Sequence, residues 1–376
     1  MRPEERRTVA VAGYLHGLSH GNILAIPVFL ALAWSNEFTP DPATLGLLAA
    51  TAYACFGVSS VPFGYLADRR APRPLLVLCV SGIAASLLAI AASPTLPLLA
   101  LSLAALGLFS GIYHPTGLSL ISRRLREPGR GFGWHGMGGS LGVALGPAAV
   151  GGLLAIGWPW RTVAALLVLP PVFGLALLLG LGVGESAPLA SDPPASPRSL
   201  LRVSVLLILL VYMFSGIAYW GTLTFLPRLV GSGSFVLLLA LGAVGQVVSG
   251  HLADRGRPDR ILFALSALAG GLLAALALNP ENLFLPAAWL FGFLLFSLEP
   301  LQNTLVTNEV PPSARGTAFG ITFLSVFGLG SVGAALAGLL LAQGQKGLLF
   351  GALGLSLLVS GGFALLVGRR ARARPG

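Results

Sequence analysis

Gly64-Tyr-Leu-Ala-Asp-Arg-Arg-Ala-Pro-Arg-Pro-Leu-Leu76 lies between two long apolar runs, and it returns as Gly250-His-Leu-Ala-Asp-Arg-Gly-Arg-Pro-Asp-Arg-Ile-Leu262. The copies agree at Gly64/Gly250, Leu66/Leu252, Ala67/Ala253, Asp68/Asp254, Arg69/Arg255, Pro72/Pro258 and Leu76/Leu262. They stand 186 residues apart in a 376-residue chain, so the protein reads as two halves built on one plan.

Outward from this loop the composition sets the solvent. The chain is 55% hydrophobic and 10% charged, with a mean hydropathy of +0.85. A soluble domain carries about 25% charged residues, so too few are present here to cover a wetted surface. Twelve apolar runs can be drawn, at 10–34, 43–67, 74–92, 96–121, 132–156, 159–182, 203–228, 233–253, 258–278, 283–307, 316–342 and 346–368. Most reach the roughly 20 residues a helix needs to cross a bilayer. Alternating barrel strands are absent from the pattern, which leaves helices as the spanning element. The expectation is an all-α integral membrane protein of twelve transmembrane helices in two pseudo-symmetric six-helix bundles. The first run follows a basic Met1–Thr8 and lacks a cleavage site, so it reads as a retained helix.

The net charge of +10 would suggest nucleic acid in a soluble protein. Here the Arg residues sit in short loops and orient the chain. With a cytoplasmic N-terminus, 20 of the 23 Lys and Arg residues fall on the inside, and only Arg161, Arg228 and Lys346 fall outside. That bias places both termini in the cytoplasm and supports an even helix count. Residues 183–202, rich in Pro, Ser and Ala, read as a cytoplasmic linker between bundles at 1–182 and 203–376. Cys55 and Cys79 lie inside apolar runs and suggest no disulfide framework.

The doubled loop resembles the signature of the major facilitator superfamily, Gly-x-Leu-Ala-Asp-Arg-x-Gly-Arg-Arg, which follows helix 2 in that family. Gly64, Leu66, Ala67, Asp68 and Arg69 match it, as do Gly250, Leu252, Ala253, Asp254 and Arg255; Ala71 and Arg257 stand where the family has Gly. The resemblance implies a secondary transporter that works by alternating access in the cell inner membrane. It also implies that Asp68, Arg69, Asp254 and Arg255 latch and release one state, with Gly64 and Gly250 allowing close helix approach. The plainer reading of these charges is topological anchoring. A narrower resemblance, carried by Gly111-Ile-Tyr-His-Pro-Thr-Gly117 and Gly133-Trp-His-Gly-Met-Gly-Gly-Ser-Leu-Gly142, is to the fosmidomycin-resistance branch, whose members are taken to be drug exporters.

Ionisable groups at membrane depth are costly and functional by default. Glu299 is the one carboxylate clearly inside an apolar run, and under a shift of 185 residues Glu299-Pro300 overlays His114-Pro115. The family resemblance puts helices 1, 4, 7 and 10 around a central cavity, so Glu299 and His114 are expected to face each other and handle a coupling proton. The alternative is local hydrogen bonding that holds helices together. His16 and His20, four apart on one helix face, could begin a metal site. No Cys or Asp accompanies them on nearby segments, so a polar cavity wall is the better reading and no metal or other cofactor is expected. Setting Pro27 against Pro227 adds Ser19, Tyr219 and Trp220 to that wall, with Tyr113, Gln302 and Asn303 from helices 4 and 10. In helix 5, Gly133, Gly142, Gly146 and Pro147 fall in register with the superfamily's antiporter signature, though Val150 replaces the first Gly of its terminal pair. These glycines are expected to pack tightly on a helix of the other half and limit leak.

The function expected is proton-coupled efflux of a small drug-like solute by a monomer, its partners being the solute, protons and membrane lipid rather than nucleic acid. The alternative is an uptake symporter or facilitator for a small metabolite, anions included. A membrane enzyme would need clustered acids or a nucleophile–base set, and one buried Glu with scattered His supplies neither. A receptor that has lost transport is the other class to weigh, and loss of Glu299 or of the loop charges would have pointed to it.

Overall fold

The computed structural model describes residues 1–67, 69–125, 128–184, 202–278, 284–311 and 314–372, without the side chains at 122–123, 128–133 and 254–255. Among the described residues twelve helices are long and apolar enough to span a membrane: α1 (Pro3–Glu37), α2 (Pro42–Ala67), α3 (Pro72–Ala92), α4 (Leu96–Ile121), α5 (Trp134–Ala155), α6 (Trp160–Gly180), α7 (Val203–Leu223), α8 (Ser232–Ala253), α9 (Pro258–Ala277), α10 (Phe284–Glu309), α11 (Arg315–Ala342) and α12 (Lys346–Arg372). They coincide with the twelve apolar runs to within a few residues, apart from longer ends on α1 and α12. Among the described residues there is no strand. The chain is a multi-pass membrane protein. Residues 185–201, most of the expected linker, lie outside the described residues.

Small residues decide how closely the helices approach. Gly13, Gly17 and Gly21 of α1 lie against Gly138, Gly142 and Gly146 of α5, at four-residue spacing on both helices. A Cβ on Gly17 would stand 2.8 Å from the Gly138 carbonyl oxygen, and one on Gly21 would stand 3.0 Å from that of Gly142. The second half repeats the contact, with Gly330 and Gly333 of α11 against Gly216 and Ile217 of α7. Such stripes matter in lipid, where van der Waals contact rather than a hydrophobic gradient drives association. The α5 stripe therefore faces α1 of its own half, which corrects the expectation that it packs on the other half. The reason is rotational: the glycines occupy one face of α5, while Ser140 and Gly151 on another face meet Gln246 and Ser232 of α8.

The two halves meet along α2 and α11. Gly46 approaches Gly338, Gly57 approaches Gly328, and Gly64 lies against Gly316 and Gly320. The seam thus runs from one end of α2 to the other.

Pseudo-symmetry extends to the breaks. α4 is interrupted between Leu96–Ser110 and Tyr113–Arg124, and α10 between Phe284–Phe296 and Leu298–Glu309. In each case a proline follows shortly, Pro115 or Pro300, and cannot donate to the carbonyl four residues earlier. In α4 that carbonyl belongs to Gly111, and Ser60 of α2 donates its hydroxyl to it at 3.2 Å.

The repeat also conserves a task with opposite chemistry. Arg73 at the start of α3 donates to the Leu179 carbonyl of α6 at 3.2 Å, tying those helix ends together. The corresponding Asp259 at the start of α9 is buried and accepts from Arg257 and from Arg372 of α12, each at 3.2 Å. Gly368 leaves the space that this carboxylate occupies.

The glycine contact yields a comparison of two substitutions on one helix. Gly142→Ala pushes a methyl group into the Gly17 backbone, which cannot swing aside, and overpacking of this kind costs about 1–3 kcal/mol. Gly152 faces open space, and Gly152→Ala keeps or raises stability because Ala is the better helix former. Thermal unfolding of the two purified variants in detergent should separate them by several degrees.

Candidate functional site

The helix breaks and the glycine stripes set the polar centre. Because α1 and α5 touch backbone to backbone, the histidines beside their glycines are brought face to face. His16 of α1 stacks on His135 of α5 with ring centroids 4.1 Å apart and planes 7° from parallel. No side chain at Gly139 intervenes, since a Cβ there would collide with the His16 ring. From the restarted half of α4, His114 comes to 4.9 Å from His16 and 4.8 Å from His20, while His16 and His20 lie 4.7 Å apart. Three imidazoles therefore form a nearly equilateral triangle at membrane depth. His16 and His114 are buried, and His20 is partly exposed. The third partner that sequence reasoning found wanting for His16 and His20 is His114, brought in by the break in α4.

Hydrogen bonds settle which nitrogens carry protons. Nδ1 of His16 lies 3.0 Å from the carbonyl oxygen of His135, and a carbonyl only accepts, so Nδ1 is the donor. The Tyr113 hydroxyl donates to the Ala12 carbonyl. Its oxygen, 2.9 Å from His135 Nε2, must then accept from that nitrogen. Ser19 joins the wall by donating to the Ser110 carbonyl at 3.2 Å. Nε2 of His114 is buried and has no hydrogen-bond partner among the described residues.

Glu299 sits on the other half. Gln246 of α8 donates to its Oε2 at 2.8 Å, and Ser140 of α5 donates to Gln246 Oε1 at 2.6 Å. A chain of two hydrogen bonds thus runs from α10 through α8 to α5 and crosses between the halves. Tyr212 and Tyr219 lie within electrostatic range of the carboxylate. His114 crosses by a different route, stacking on Phe323 of α11 at 4.3 Å. Among the described residues no hydrogen bond joins Glu299 to His114, although the repeat pairs them.

Between these two arms the midline is packed by aromatic rings. Tyr53 of α2 stacks on Trp220 of α7 at 3.8 Å, and Phe56 stacks on Phe327 of α11 at 3.9 Å. Trp220 also donates its indole N–H to the Val326 carbonyl at 3.0 Å, and Tyr219 meets Phe296 edge-on at 5.3 Å. Gln302 donates to Ser215 at 2.8 Å and Asn303 accepts from Tyr212 at 2.7 Å, so both tie α10 to α7. In the loops, Asp68 lies outside the described residues, as do the side chains of Asp254 and Arg255. Arg69 is exposed and folds over the ring of Tyr65, one helical turn back, at 3.5 Å. A Cβ added at Gly250 would meet only the Pro300 ring, at 4.0 Å. Pro147, next to Gly146, is buried inside α5.

Sequence reasoning named neither His135 nor the Ser140–Gln246 pair as site residues. His135 sits in the motif that carries the narrower resemblance, beside the glycines that expose the His16 ring, so a signal for it existed. Gln246 and Ser140 look like ordinary polar residues in apolar runs, and only the contact between α5 and α8 distinguishes them.

The family model described as Major Facilitator Superfamily matches residues 13–335, and the chain belongs to that superfamily. The chain is 26% identical over 371 residues to the Fosmidomycin resistance protein of Escherichia coli, covering 88% of this chain and 85% of that one. It is also 26% identical over 421 residues to the Gallate transporter of Pseudomonas putida, covering 97% and 92%. The crystal structure of a bacterial homologue of the human lysosomal transporter Spinster, in an inward-facing and occupied conformation, superposes with a TM-score of 0.76 at 18% identity, covering 100% of this chain and 99% of that one. The chain is accordingly a membrane transporter of this superfamily and not an enzyme.

The tautomer chain can be cut at one atom. Tyr113→Phe leaves the Ala12 carbonyl and His135 Nε2 without their partner in a dry setting, a loss of about 1–3 kcal/mol. Tyr14→Phe removes a hydroxyl that donates to the Pro170 carbonyl from a half-buried position and should lower the melting temperature less.

Proposed function

We propose that this transporter exports a small, drug-like organic solute by proton-coupled alternating access, and that the coupling proton is carried by Glu299. The observation that bears most weight is the path Glu299–Gln246–Ser140, which links a carboxylate at membrane depth to the opposite half through Gln246. An ionised carboxylate makes a charge-assisted bond to the Gln246 amide, roughly twice as strong as a neutral one. Taking up a proton weakens the connection to α5 and favours the state in which the halves part there. Losing the proton restores it. A proton can bias a two-state equilibrium only through such a difference between the states. The likeness to the fosmidomycin resistance protein supports export. The Arg-rich loops support an inner-membrane location with both termini cytoplasmic. His114 belongs to the imidazole triangle, so the proton role is assigned to Glu299 without it.

Asp68, Arg69, Asp254 and Arg255 are proposed as gating groups on the cytoplasmic side, Gly64 providing close approach to α11. The α5 stripe at Gly142, Gly146 and Pro147 serves by keeping α1 and α5 moving as one body. One alternative is favoured by a specific feature. The imidazoles of His16, His20 and His114 would suit recognition of an anion, and the resemblance to the gallate transporter points the same way. On that reading the protein takes up a small anionic metabolite.

The test begins with resistance or uptake screens in an overexpressing host, which supply a transported compound. In proteoliposomes with that compound at equal concentration inside and out, an outside-acid gradient should drive net export by proton exchange, whereas the same gradient should drive net uptake if the alternative, proton symport, holds. Glu299→Gln keeps an acceptor for Gln246 but cannot titrate. Gradient-driven transport should fall to background in this variant while solute exchange persists in part. Pumping at the wild-type rate would remove Glu299 from the mechanism.

A further inference from the structure

We propose that His16, His20 and His114 form a binding site for a divalent late transition-metal ion of the zinc class. The donor set decides the chemistry. Three imidazoles converge from two helices, and their candidate ligand atoms all lie within 4.8 Å of one another. Hard ions such as magnesium and calcium require oxygen ligands, whereas imidazole suits zinc, copper and nickel. Among the described residues no Cys, Asp or Glu joins the group. Three protein ligands with a fourth position open to a small molecule is the arrangement of a reactive or exchangeable site rather than a closed structural one.

Two further observations point to a ligand. Nε2 of His114 is buried and unpartnered, in a ring that is 2% exposed. A buried ring nitrogen without a partner costs stability unless something occupies its lone pair or accepts its proton. His16 supplies the second. Its Nδ1–H is held by the His135 carbonyl, which leaves Nε2 as the lone-pair nitrogen and fixes the ring plane. A metal-binding histidine is oriented in this way by its outer hydrogen bond. Bound nitrogens on zinc at about 2.0–2.1 Å stand about 3.3 Å apart. The candidate ligand atoms, within 4.8 Å of one another, draw together by about 1.5 Å at most to hold such an ion. A divalent ion on three neutral imidazoles keeps its positive charge in a poorly solvated setting, so an anionic fourth ligand is expected.

The site is independent of the proton role given to Glu299, and its test does not use transport. Full-length protein purified in detergent through a tag without histidines is titrated with Zn²⁺ by calorimetry, and separately with Co²⁺ by visible absorption. One ion per chain and the intense bands of four-coordinate cobalt are expected. His20→Gln, the least buried member, should weaken binding at least tenfold. His251→Gln, an exposed histidine on α8 bonded within its own helix, should leave affinity unchanged. If removing an imidazole disturbs folding, His114→Cys keeps a ligand for zinc, and Zn²⁺ should raise its melting temperature as it does that of the wild type. Absence of stoichiometric binding to the wild type overturns the proposal, and so does undiminished binding by a folded His16→Gln/His20→Gln double variant.

Discussion

Backbone-to-backbone contact between helices is the constraint on which the rest of this protein depends. In lipid a leucine gains little by leaving the tails for another helix, so association rests on close packing and on polar contacts. Gly13, Gly17 and Gly21 against Gly138, Gly142 and Gly146 bring α1 and α5 near enough for His16 and His135 to stack. The same device joins α7 to α11 within the second half and α2 to α11 between the halves. One kind of contact therefore builds each bundle and also the seam between them.

Several polar groups inside this packing are placed with their partners. The freed Gly111 carbonyl meets Ser60, the Tyr113 hydroxyl serves both Ala12 and His135, and Gln246 links Glu299 to Ser140. Among the described residues nine buried side-chain polar atoms have no hydrogen-bond partner, and Nε2 of His114 is the one imidazole nitrogen among them. In a setting where each unpaired group is expensive, an unsatisfied nitrogen next to two other imidazoles is where a ligand is to be sought. The two halves thus carry different chemistry on one scaffold, with imidazoles in the first and a carboxylate in the second. Arg73 and Asp259 show the same principle at the helix ends, where opposite charges tie corresponding helices.

Much of the architecture was legible before any coordinates. Apolar runs of helical length, the duplicated Gly64 and Gly250 loops and the asymmetry of Arg specified a twelve-helix membrane protein, and the breaks at Pro115 and Pro300 were visible as repeat-related prolines. Less of the candidate site was legible. Pairing His114 with Glu299 by the repeat identified two groups that the fold places on opposite halves, each reaching across, but through Phe323 in one case and Gln246 in the other. Assigning the α5 glycines to the far half failed because their spacing fixes a face without saying which neighbour lies on it.

The division follows from the range of the forces. Solvent, helix length, breaks and duplication are local properties of the chain, since hydropathy and proline chemistry act within a few residues, and the sequence by itself determined them. The meeting of His16 with His135, of Ser140 with Gln246 and of Tyr53 with Trp220 joins residues far apart in sequence. Those meetings depend on how each helix is rotated about its axis, and only the packing of twelve helices together, in the tertiary structure, fixes that rotation.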